Sequence, residues 1–247
     1  MALLDQETWQ AIRPIFASAW PREAVVAVYD DGSWLQLENV AADPLGAFEL
    51  TQSDVAMLDA KRPLVLLHSH PNGSAEPSDR DTEQQIASGY TWGIVAVSGN
   101  ELGVHHVAEP EYLGPLRPRP PLLNRTYLWG VRDCWTVCED YYHEQSIPFA
   151  IIPRVRNPGP HHAHARGRDP FRYWPPRLGF KPVPREQRKP GDLALMYFRS
   201  PVLNHCAIYL GEATYLHQLE NRTSEHWCHD NEEQFLERFA VQFWRKK

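Results

Sequence analysis

The segment that indicates most about the structure of the first half of the chain is His68-Ser-His-Pro-Asn-Gly-Ser-Ala-Glu-Pro-Ser-Asp-Arg-Asp81. It follows an apolar run that predicts a buried strand, and it leads into a helix pattern at 78–89. His68 and His70 are two residues apart, so both imidazoles project from one face of an extended chain. Asp81 supplies a carboxylate from the first turn of the helix. Two imidazoles and a carboxylate predict a tetrahedral Zn²⁺ centre with one open position, the arrangement of a catalytic site.

The segments around this stretch alternate between strand and helix patterns. Helix patterns occur at 54–60 and 78–89, and apolar runs predict strands at 24–29, 33–40, 63–67 and 92–97. This alternation predicts a mixed α/β domain over residues 1–107. The first 16 residues have the pattern of an amphipathic helix and not of a secretory leader, so we expect the protein in a cytoplasm.

Proline-rich segments divide the chain. Residues 110–121 contain five prolines and predict a stiff linker, placed at 108–123, before a second domain at 124–247. A second such segment, near 153–190, combines nine prolines with ten Lys and Arg residues against two acids, and we expect it to be an insertion in the second domain. Within it, His161-His-Ala-His164 has the composition of a metal-binding tract, although a solvated loop is the preferred interpretation.

The second domain combines a helix with a run of strands. A helix pattern at 134–143 precedes strand patterns at 192–197, 205–210 and 213–217, and another helix pattern lies near 231–239. A helix followed by an antiparallel meander predicts an α+β domain.

Charge and hydropathy exclude several classes of protein. The net charge of −6 divides into −10 for residues 1–107 and +4 for residues 108–247, which indicates two units with different surroundings. No apolar run approaches the 18 residues of a membrane span. The basic residues of the second half show no regular aromatic interleaving and no nucleic-acid motif, so we expect no nucleic-acid partner.

The four cysteines all lie in the second half, at positions 134, 138, 206 and 228. A reducing cytoplasm makes a disulfide framework unexpected. Cys134 follows Asp133 at the start of a helix, where the helix dipole and free N–H groups favour a thiolate. With His205 as base and His217 holding the other nitrogen of that ring, the pattern predicts a nucleophile whose pKa lies below about 8.5.

Other interpretations of these residues stay open. Cys134 and Cys138, four residues apart, have the spacing of half a thiolate metal site, and Cys134 could also be an ordinary buried cysteine. His217 could be an ordinary strand histidine. We interpret Cys206 and Cys228 as structural.

The first motif resembles the metal signature of the JAMM (Mov34/MPN) metallopeptidases, H-x-H-x7-S-x2-D, without a gap. The resemblance implies that His68, His70 and Asp81 bind Zn²⁺ and that Ser78 stabilises an oxyanion. It also implies that a glutamate near the first strand acts on the attacking water. Glu23, in Pro21-Arg-Glu23, fits that role, with the residues Glu38 and Glu49 as alternatives.

The second half resembles the NlpC/P60 family, which has a compact papain-like α+β fold. The matching landmarks are Tyr127-Leu-Trp-Gly130 before Asp133-Cys134, then Pro190-Gly-Asp-Leu193, His205-Cys-Ala-Ile-Tyr-Leu-Gly211 and Leu216-His217. The resemblance implies that Cys134 is the nucleophile, His205 the base, His217 the orienting residue and Tyr127 a support for the oxyanion. The chain departs from the family at Trp135-Thr136, where a small pair is usual, and we expect this to affect substrate fit.

The order of the two domains resembles a family of tail-tip assembly proteins from long-tailed bacteriophages. That resemblance implies an enzyme that hydrolyses amide bonds of peptidoglycan stem peptides or of a tail protein. The alternative is an assembly factor in which one or both domains are docking modules. It also implies phage tail-tip proteins as partners, and a location in the host cytoplasm during assembly or at the tail tip of the virion.

Overall fold

The structure, a computed structural model, describes residues 3–152 and 170–247. The chain divides into two compact units, Met1–Pro118 and Arg119–Lys247. The first unit mixes helices with parallel and antiparallel strands, and the second combines helices with an antiparallel sheet. The predicted fold class, α/β followed by α+β, is therefore confirmed.

The first unit is built on a mixed β-sheet. Its helices are α1 (Gln6–Ala19), α2 (Gln52–Ala60) and α3 (Asp79–Ser88), and its strands are β1 (Val25–Val28), β2 (Trp34–Leu37), β3 (Val65–Pro71), β4 (Trp92–Asn100), β5 (Gly103–Val107) and β6 (Glu111–Leu113). The strand order is β2-β1-β3-β4-β5, and β6 also pairs with β4. Strands β3 and β4 are parallel, whereas the other pairs are antiparallel.

Helix α1 covers part of this sheet with its apolar face. The carboxylate of Asp5 accepts a hydrogen bond from the N–H of Thr8 at 2.7 Å and so caps the first turn. Trp9, Ile12 and Phe16, spaced three and four residues apart, are buried in a core that includes residues of β4 and β5.

Strand β3 is the central strand that positions the predicted metal ligands. It lies between β1 and β4, with His68 paired to Val25 on one side and to Ile94 on the other. Its last residues, His70 and Pro71, lead into the loop that ends at Ser78, the cap of α3.

Two strands of this unit were not predicted. Strand β5 forms a hairpin with β4, and β6 pairs with Trp92, Gly93 and Ile94 of β4. The prediction of a stiff linker over 108–123 is therefore wrong for residues 111–113, which form a strand. Residues Glu111–Leu113 complete the sheet, and Leu113 is buried.

The second unit has an entirely antiparallel sheet among its described residues. Its helices are α4 (Cys134–Glu144), α5 (Pro170–Arg177) and α6 (Glu232–Arg238), with a short 3-10 turn at Arg185–Gln187, and its strands are β7 (Phe180–Val183), β8 (Leu193–Met196), β9 (His205–Gly211), β10 (Thr214–His217), β11 (Glu225–Cys228) and β12 (Gln242–Lys246). The strand order is β11-β10-β9-β8-β12-β7. Helix α4 lies against β9 and β10, so the start of this helix faces the strands that carry His205 and His217.

The proline-rich insertion predicted near 153–190 contains regular structure in its second half. The tract His161–His164 lies outside the described residues. From residue 170 onward the chain forms α5 and β7, and Phe171 and Trp174 of α5 pack on the core of the unit. Phe171 and Trp174 are three residues apart, which is a helical spacing, but the many prolines of this segment argued against a helix.

Among the described residues, no helix has both the length and the apolar character needed to cross a bilayer.

Candidate catalytic sites

The end of β3 and the start of α3 bring together the three predicted metal ligands. The Nε2 atoms of His68 and His70 lie 3.1 Å apart. The carboxylate oxygens of Asp81 lie 3.4 Å from Nε2 of His68 and 3.3 Å from Nε2 of His70. Within the described residues, this is the one group of three or more His, Cys, Asp or Glu side chains whose ligand atoms converge.

These separations fit a tetrahedral zinc ion. Zn–N and Zn–O bonds of about 2.0–2.1 Å at tetrahedral angles place neighbouring ligand atoms roughly 3.3–3.4 Å apart. The three distances in the structure, from 3.1 to 3.4 Å, agree with that value. The donor set also has the nitrogen and oxygen character of catalytic zinc sites.

Both histidines are held by their surroundings. Nδ1 of His70 lies 2.9 Å from the carbonyl oxygen of Ser74, which can only accept, so Nδ1 carries a proton and Nε2 is the nitrogen directed at the other two predicted ligands. The ring of His68 is fully buried between Phe48 and Trp92, with centroid distances of 4.9 and 5.5 Å. Burial lowers the pKa of His68, which favours the neutral form that binds metals.

Ser78 holds the carboxylate of Asp81. The N–H and the hydroxyl of Ser78 each donate to Oδ2 of Asp81 at 2.7 Å, and its Oγ accepts from the N–H of Asp81 at 3.1 Å. Burial alone would raise the pKa of Asp81, but the bonds with His68 and His70 outweigh it and hold that pKa well below its usual range. In this structure the hydroxyl of Ser78 is therefore directed at the ionised carboxylate of Asp81. Its predicted role at an oxyanion stays a prediction.

Glu23 lies in the same cleft as the predicted metal ligands His70 and Asp81. It lines a depression of about 230 Å³ together with His70 and Asp81. Burial raises the pKa of Glu23 to about 7. Of the two alternatives, Glu38 is exposed, and Glu49 forms an ion pair with Arg80 and is not itself part of this lining. The geometry therefore favours Glu23 as the carboxylate of this site.

In the second unit, Asp133 fixes the start of α4. Its carboxylate accepts hydrogen bonds from the N–H groups of Trp135 and Thr136, both at 3.0 Å, and the hydroxyl oxygen of Thr136 accepts from the N–H of Asp133 at 2.7 Å. Cys134 is the first residue of the helix, and its side chain contacts His205. The structure thus brings together the predicted nucleophile and base.

His217 lies on the far side of His205. Nε2 of His205 is 3.2 Å from Nδ1 of His217, which leaves Nδ1 of His205 as the nitrogen available to the thiol. The ring of His217 is stacked on Trp227, with centroids 4.7 Å apart and an angle of 15° between the planes. Burial lowers the pKa of His217 to about 4, so this ring is neutral near pH 7. The three predicted residues therefore form a continuous chain of contacts.

The prediction that Cys134 has a lowered pKa is wrong for this structure. A hydrogen bond with Cys206, followed by burial, raises the pKa of Cys134 well above its usual value, and the opposing effect of His205 is smaller. Sγ of Cys206 also lies 3.8 Å from Sγ of Cys138. Cys206, interpreted as structural, thus contacts the predicted nucleophile, whereas Cys228 is exposed.

Trp135 and Thr136, which depart from the NlpC/P60 pattern, are both accommodated within the second unit. Trp135 is fully buried against Phe149, with ring centroids 4.9 Å apart, so its bulk lies in the core. Thr136 completes the cap of α4 through its hydroxyl. Tyr127 is half-buried in the segment before α4, and its role as an oxyanion support stays a prediction.

Sequence reasoning missed the aromatic residues that hold the histidines. Phe48 and Trp92 flank His68, and Trp227 stacks on His217. The available signal was weak, because an aromatic residue in or near a strand is common. Which ring meets which histidine depends on the pairing of strands that are distant in sequence.

Two family models match the chain, one on each half. Residues 5–108 match the prokaryotic homologues of the JAB domain, and residues 124–245 match the NlpC/P60 family. A solved structure of an NlpC/P60 family protein from Bacillus cereus ATCC 10987 has a TM-score of 0.32 and 14% identity, over 93% of this chain and 65% of that one. At that score the likeness carries no further inference.

Two curated relatives are similar over most of their own length. Tail tip assembly protein K of Escherichia phage lambda is 30% identical over 162 residues, which are 66% of this chain and 72% of that protein. Tail tip assembly protein K of Escherichia phage N15 is 26% identical over 229 residues, which are 90% of this chain and 88% of that protein. The chain therefore belongs to the tail tip assembly protein K family, with a JAB-type domain followed by an NlpC/P60 domain.

Proposed function

We propose that this protein hydrolyses amide bonds at two sites, one dependent on Zn²⁺ and one on a thiol, during assembly of a phage tail tip. The observation that carries the proposal is the convergence of His68, His70 and Asp81 at tetrahedral separations. The relatives' name supports the place of action, since both are tail tip assembly proteins. Both matching families consist largely of hydrolases, in agreement with the chemistry of the two residue sets.

At the first site, His68, His70 and Asp81 would hold the ion. Zn²⁺ bound there supplies a Lewis acid that polarises the substrate carbonyl and makes water a better nucleophile. Glu23 accepts the proton of the attacking water and returns it to the leaving amine, a role that suits a carboxyl whose pKa is about 7. Ser78 keeps Asp81 ionised and oriented.

At the second site, Cys134 attacks the carbonyl carbon of the amide and His205 takes the thiol proton. His217 orients the imidazole of His205 through the 3.2 Å contact between ring nitrogens. Tyr127 assists the developing oxyanion. The proton on His205 passes to the leaving amine as the C–N bond breaks, which leaves the acyl group on Cys134. Water then attacks this thioester while His205 takes its proton, and the proton returns to the sulfur of Cys134 as the acid product leaves.

The partners that follow from this proposal are other tail-tip proteins, and the substrate is a tail protein or a peptidoglycan stem peptide. The protein acts in the host cytoplasm during assembly, or at the tail tip of the virion. No nucleic-acid partner is part of the proposal.

A second candidate function, a docking module, is favoured for the second unit by one observation. The thiol of Cys134 is buried and its pKa is raised, so little thiolate exists near pH 7 in this structure. A peptidase-like unit with an unactivated nucleophile is suited to binding a partner without cleaving it.

The experiment compares wild type, His68→Ala, Cys134→Ala and the double variant, each supplied with Zn²⁺. Two substrates are used, purified peptidoglycan and a library of unfolded peptides, and new amino groups are counted. Two active sites predict that each single variant loses part of the wild-type hydrolysis and that the double variant loses all of it. Equal hydrolysis by wild type and the double variant would contradict the proposal. Loss in His68→Ala alone would assign docking to the second unit.

A further inference from the structure

A second and larger cavity lies beside the candidate metal centre in the first unit. It has a volume of about 490 Å³, within the range of about 300–1,000 Å³ that is usual for ligand sites. Helices α2 and α3 and strands β3 and β4 contribute its walls. Its apolar lining includes Phe48, Val55, Leu58, Leu66, Tyr90 and Trp92.

The cavity adjoins the metal cleft. Phe48, Arg80 and Gln84 line both depressions. The rings of Phe48 and Trp92, two walls of the cavity, lie 4.9 and 5.5 Å from the ring of His68. A side chain placed in the cavity therefore packs on the same two rings that flank this predicted metal ligand.

The chemistry of the cavity favours an uncharged occupant. Arg80, on its rim, is paired with Glu49 at 3.0 Å, and the hydroxyl of Tyr90 donates to the carboxylate of Asp59. Because these charged groups already have partners, a charged side chain entering the cavity would lose its hydration without gaining a new ion pair. An aromatic or branched aliphatic side chain meets carbon on most sides and gains from burial.

The mouth of the cavity is open to solvent. Val55 of α2 is 46% exposed although it is apolar, and Ala87 of α3, also part of the lining, is exposed. Exposed apolar surface next to a cleft with candidate catalytic groups is typical of a binding surface.

We propose that this cavity binds a large apolar side chain of the substrate, next to the amide that the first site cleaves. The proposal rests on the proposed hydrolysis at the metal centre and specifies its substrate class. The substrate is a polypeptide with an aromatic or branched aliphatic residue beside the scissile bond. A peptidoglycan stem peptide does not fit, because its side chains are small or charged.

The first arm of the test measures binding to the full-length, zinc-loaded protein by methyl NMR. N-acetyl-L-phenylalaninamide is expected to shift the methyl signals of Val55, Leu58 and Leu66, whereas N-acetyl-L-alaninamide leaves them unchanged. Ala87→Trp fills the cavity from an exposed position and should abolish the shifts. Glu83→Trp, on the same helix but outside the lining, is the matched control and should retain them. Shifts that are absent in wild type, or that persist in Ala87→Trp, would overturn the proposal.

The second arm maps cleavage sites in a library of unfolded peptides by mass spectrometry. Wild type is expected to favour bonds next to Phe, Tyr, Trp, Leu or Ile over bonds next to Ala by at least about tenfold in kcat/KM. That ratio should fall to about one in Ala87→Trp and stay unchanged in Glu83→Trp. Cleavage by wild type without this preference would overturn the cavity proposal and leave the hydrolase intact. If no peptide is cleaved, the proposed hydrolysis fails instead, and the binding arm alone decides what the cavity holds.

Discussion

The two candidate sites share a capped helix start, but the key side chain is ionised in the first site and neutral in the second. In each, a capped helix start presents a reactive group to a neighbouring strand, Asp81 behind Ser78 in the first unit and Cys134 behind Asp133 in the second. Asp81 faces two histidines and its pKa is lowered, so the charged form is stabilised. Cys134 faces Cys206 inside the core and its pKa is raised, so the neutral form is stabilised.

This difference shows that a position at the start of a helix does not by itself determine the protonation state of a side chain. The helix dipole contributes about 0.3–1 kcal/mol, whereas desolvation of a buried group shifts a pKa by up to 3–5 units, or about 4–7 kcal/mol. The groups that contact each side chain from the neighbouring strands therefore decide whether it is charged. His70 and His68 provide them in the first unit, and Cys206 opposes ionisation in the second.

The largest effect is expected from the carboxylate of the first site. Glu23→Gln should keep the bound metal and lower kcat for peptide hydrolysis by roughly 10²–10⁴, because it removes a general base without removing a ligand. Steady-state kinetics with elemental analysis checks both parts. Glu38→Gln is the matched control, since Glu38 is exposed and lines neither the metal cleft nor the cavity beside it. Loss of the metal in Glu23→Gln would mean that this carboxylate is itself a ligand.

A smaller effect is expected from the two helix caps, and it differs between the sites. Ser78→Ala removes a hydroxyl that donates to Asp81, so Zn²⁺ affinity should fall by about 10–100-fold. Asp133→Ala should leave Zn²⁺ affinity unchanged while lowering the free energy of unfolding by about 0.5–2 kcal/mol. Competition titration with a chromogenic chelator gives the first quantity and denaturant unfolding gives the second. Equal zinc affinity in Ser78→Ala and wild type would contradict the role given to Ser78.

The histidine pair of the second site gives a pH-dependent prediction. The pKa of His217 is lowered by burial to about 4, so between pH 6.5 and pH 4 the unfolded chain binds more protons at this residue than the folded chain. Stability should therefore fall as the pH falls through this window, by about 2 kcal/mol between pH 7 and pH 5 from this residue.

An NMR titration of the imidazole resonances measures that pKa directly, with His217→Gln used to assign the signal. The same variant should show a weaker loss of stability on acidification than wild type. A value near 6.5 for His217 would mean that the ring is solvated, and the buried chain of contacts with His205 would then be incorrect.

The smallest effect concerns the thiol. Cys206→Val removes the hydrogen bond that most raises the pKa of Cys134, so alkylation of Cys134 by iodoacetamide at pH 7 should become about tenfold faster for each unit by which that pKa falls. Cys138→Ala is the control, because Cys138 bonds with Cys206 and not with Cys134. In wild type, the exposed Cys228 should be alkylated first. If Cys134 already reacts fastest in wild type, the contrast between the two sites does not hold.

The sequence predicted the parts of this protein that depend on short spacings. The pair His68 and His70 lies on one strand, and Ser78 and Asp81 share the first turn of one helix, so local geometry alone brings them near each other. Asp133 and Cys134 were identified for the same reason. Both folds also follow from the strand and helix periods of the chain.

The remaining features depend on residues that are far apart in sequence. Cys206 meets Cys134 because β9 packs against α4, and no spacing rule connects positions 206 and 134. The strand Glu111–Leu113 was hidden among prolines, since its hydrogen bonds come from β4 and not from its own sequence. The thiol pKa was predicted wrongly because the sequence gives the helix position of Cys134 but not the neighbours that desolvate it.

The measurement that tests the contrast most directly is the zinc content of the full-length protein and of matched variants at each site. We expect one Zn²⁺ per chain in wild type, none in His68→Ala/His70→Ala, and an unchanged value in Cys134→Ala/Cys206→Ala, by elemental analysis after dialysis. Zinc retained without the two histidines, or lost with the two cysteines, would contradict a metal site at His68, His70 and Asp81.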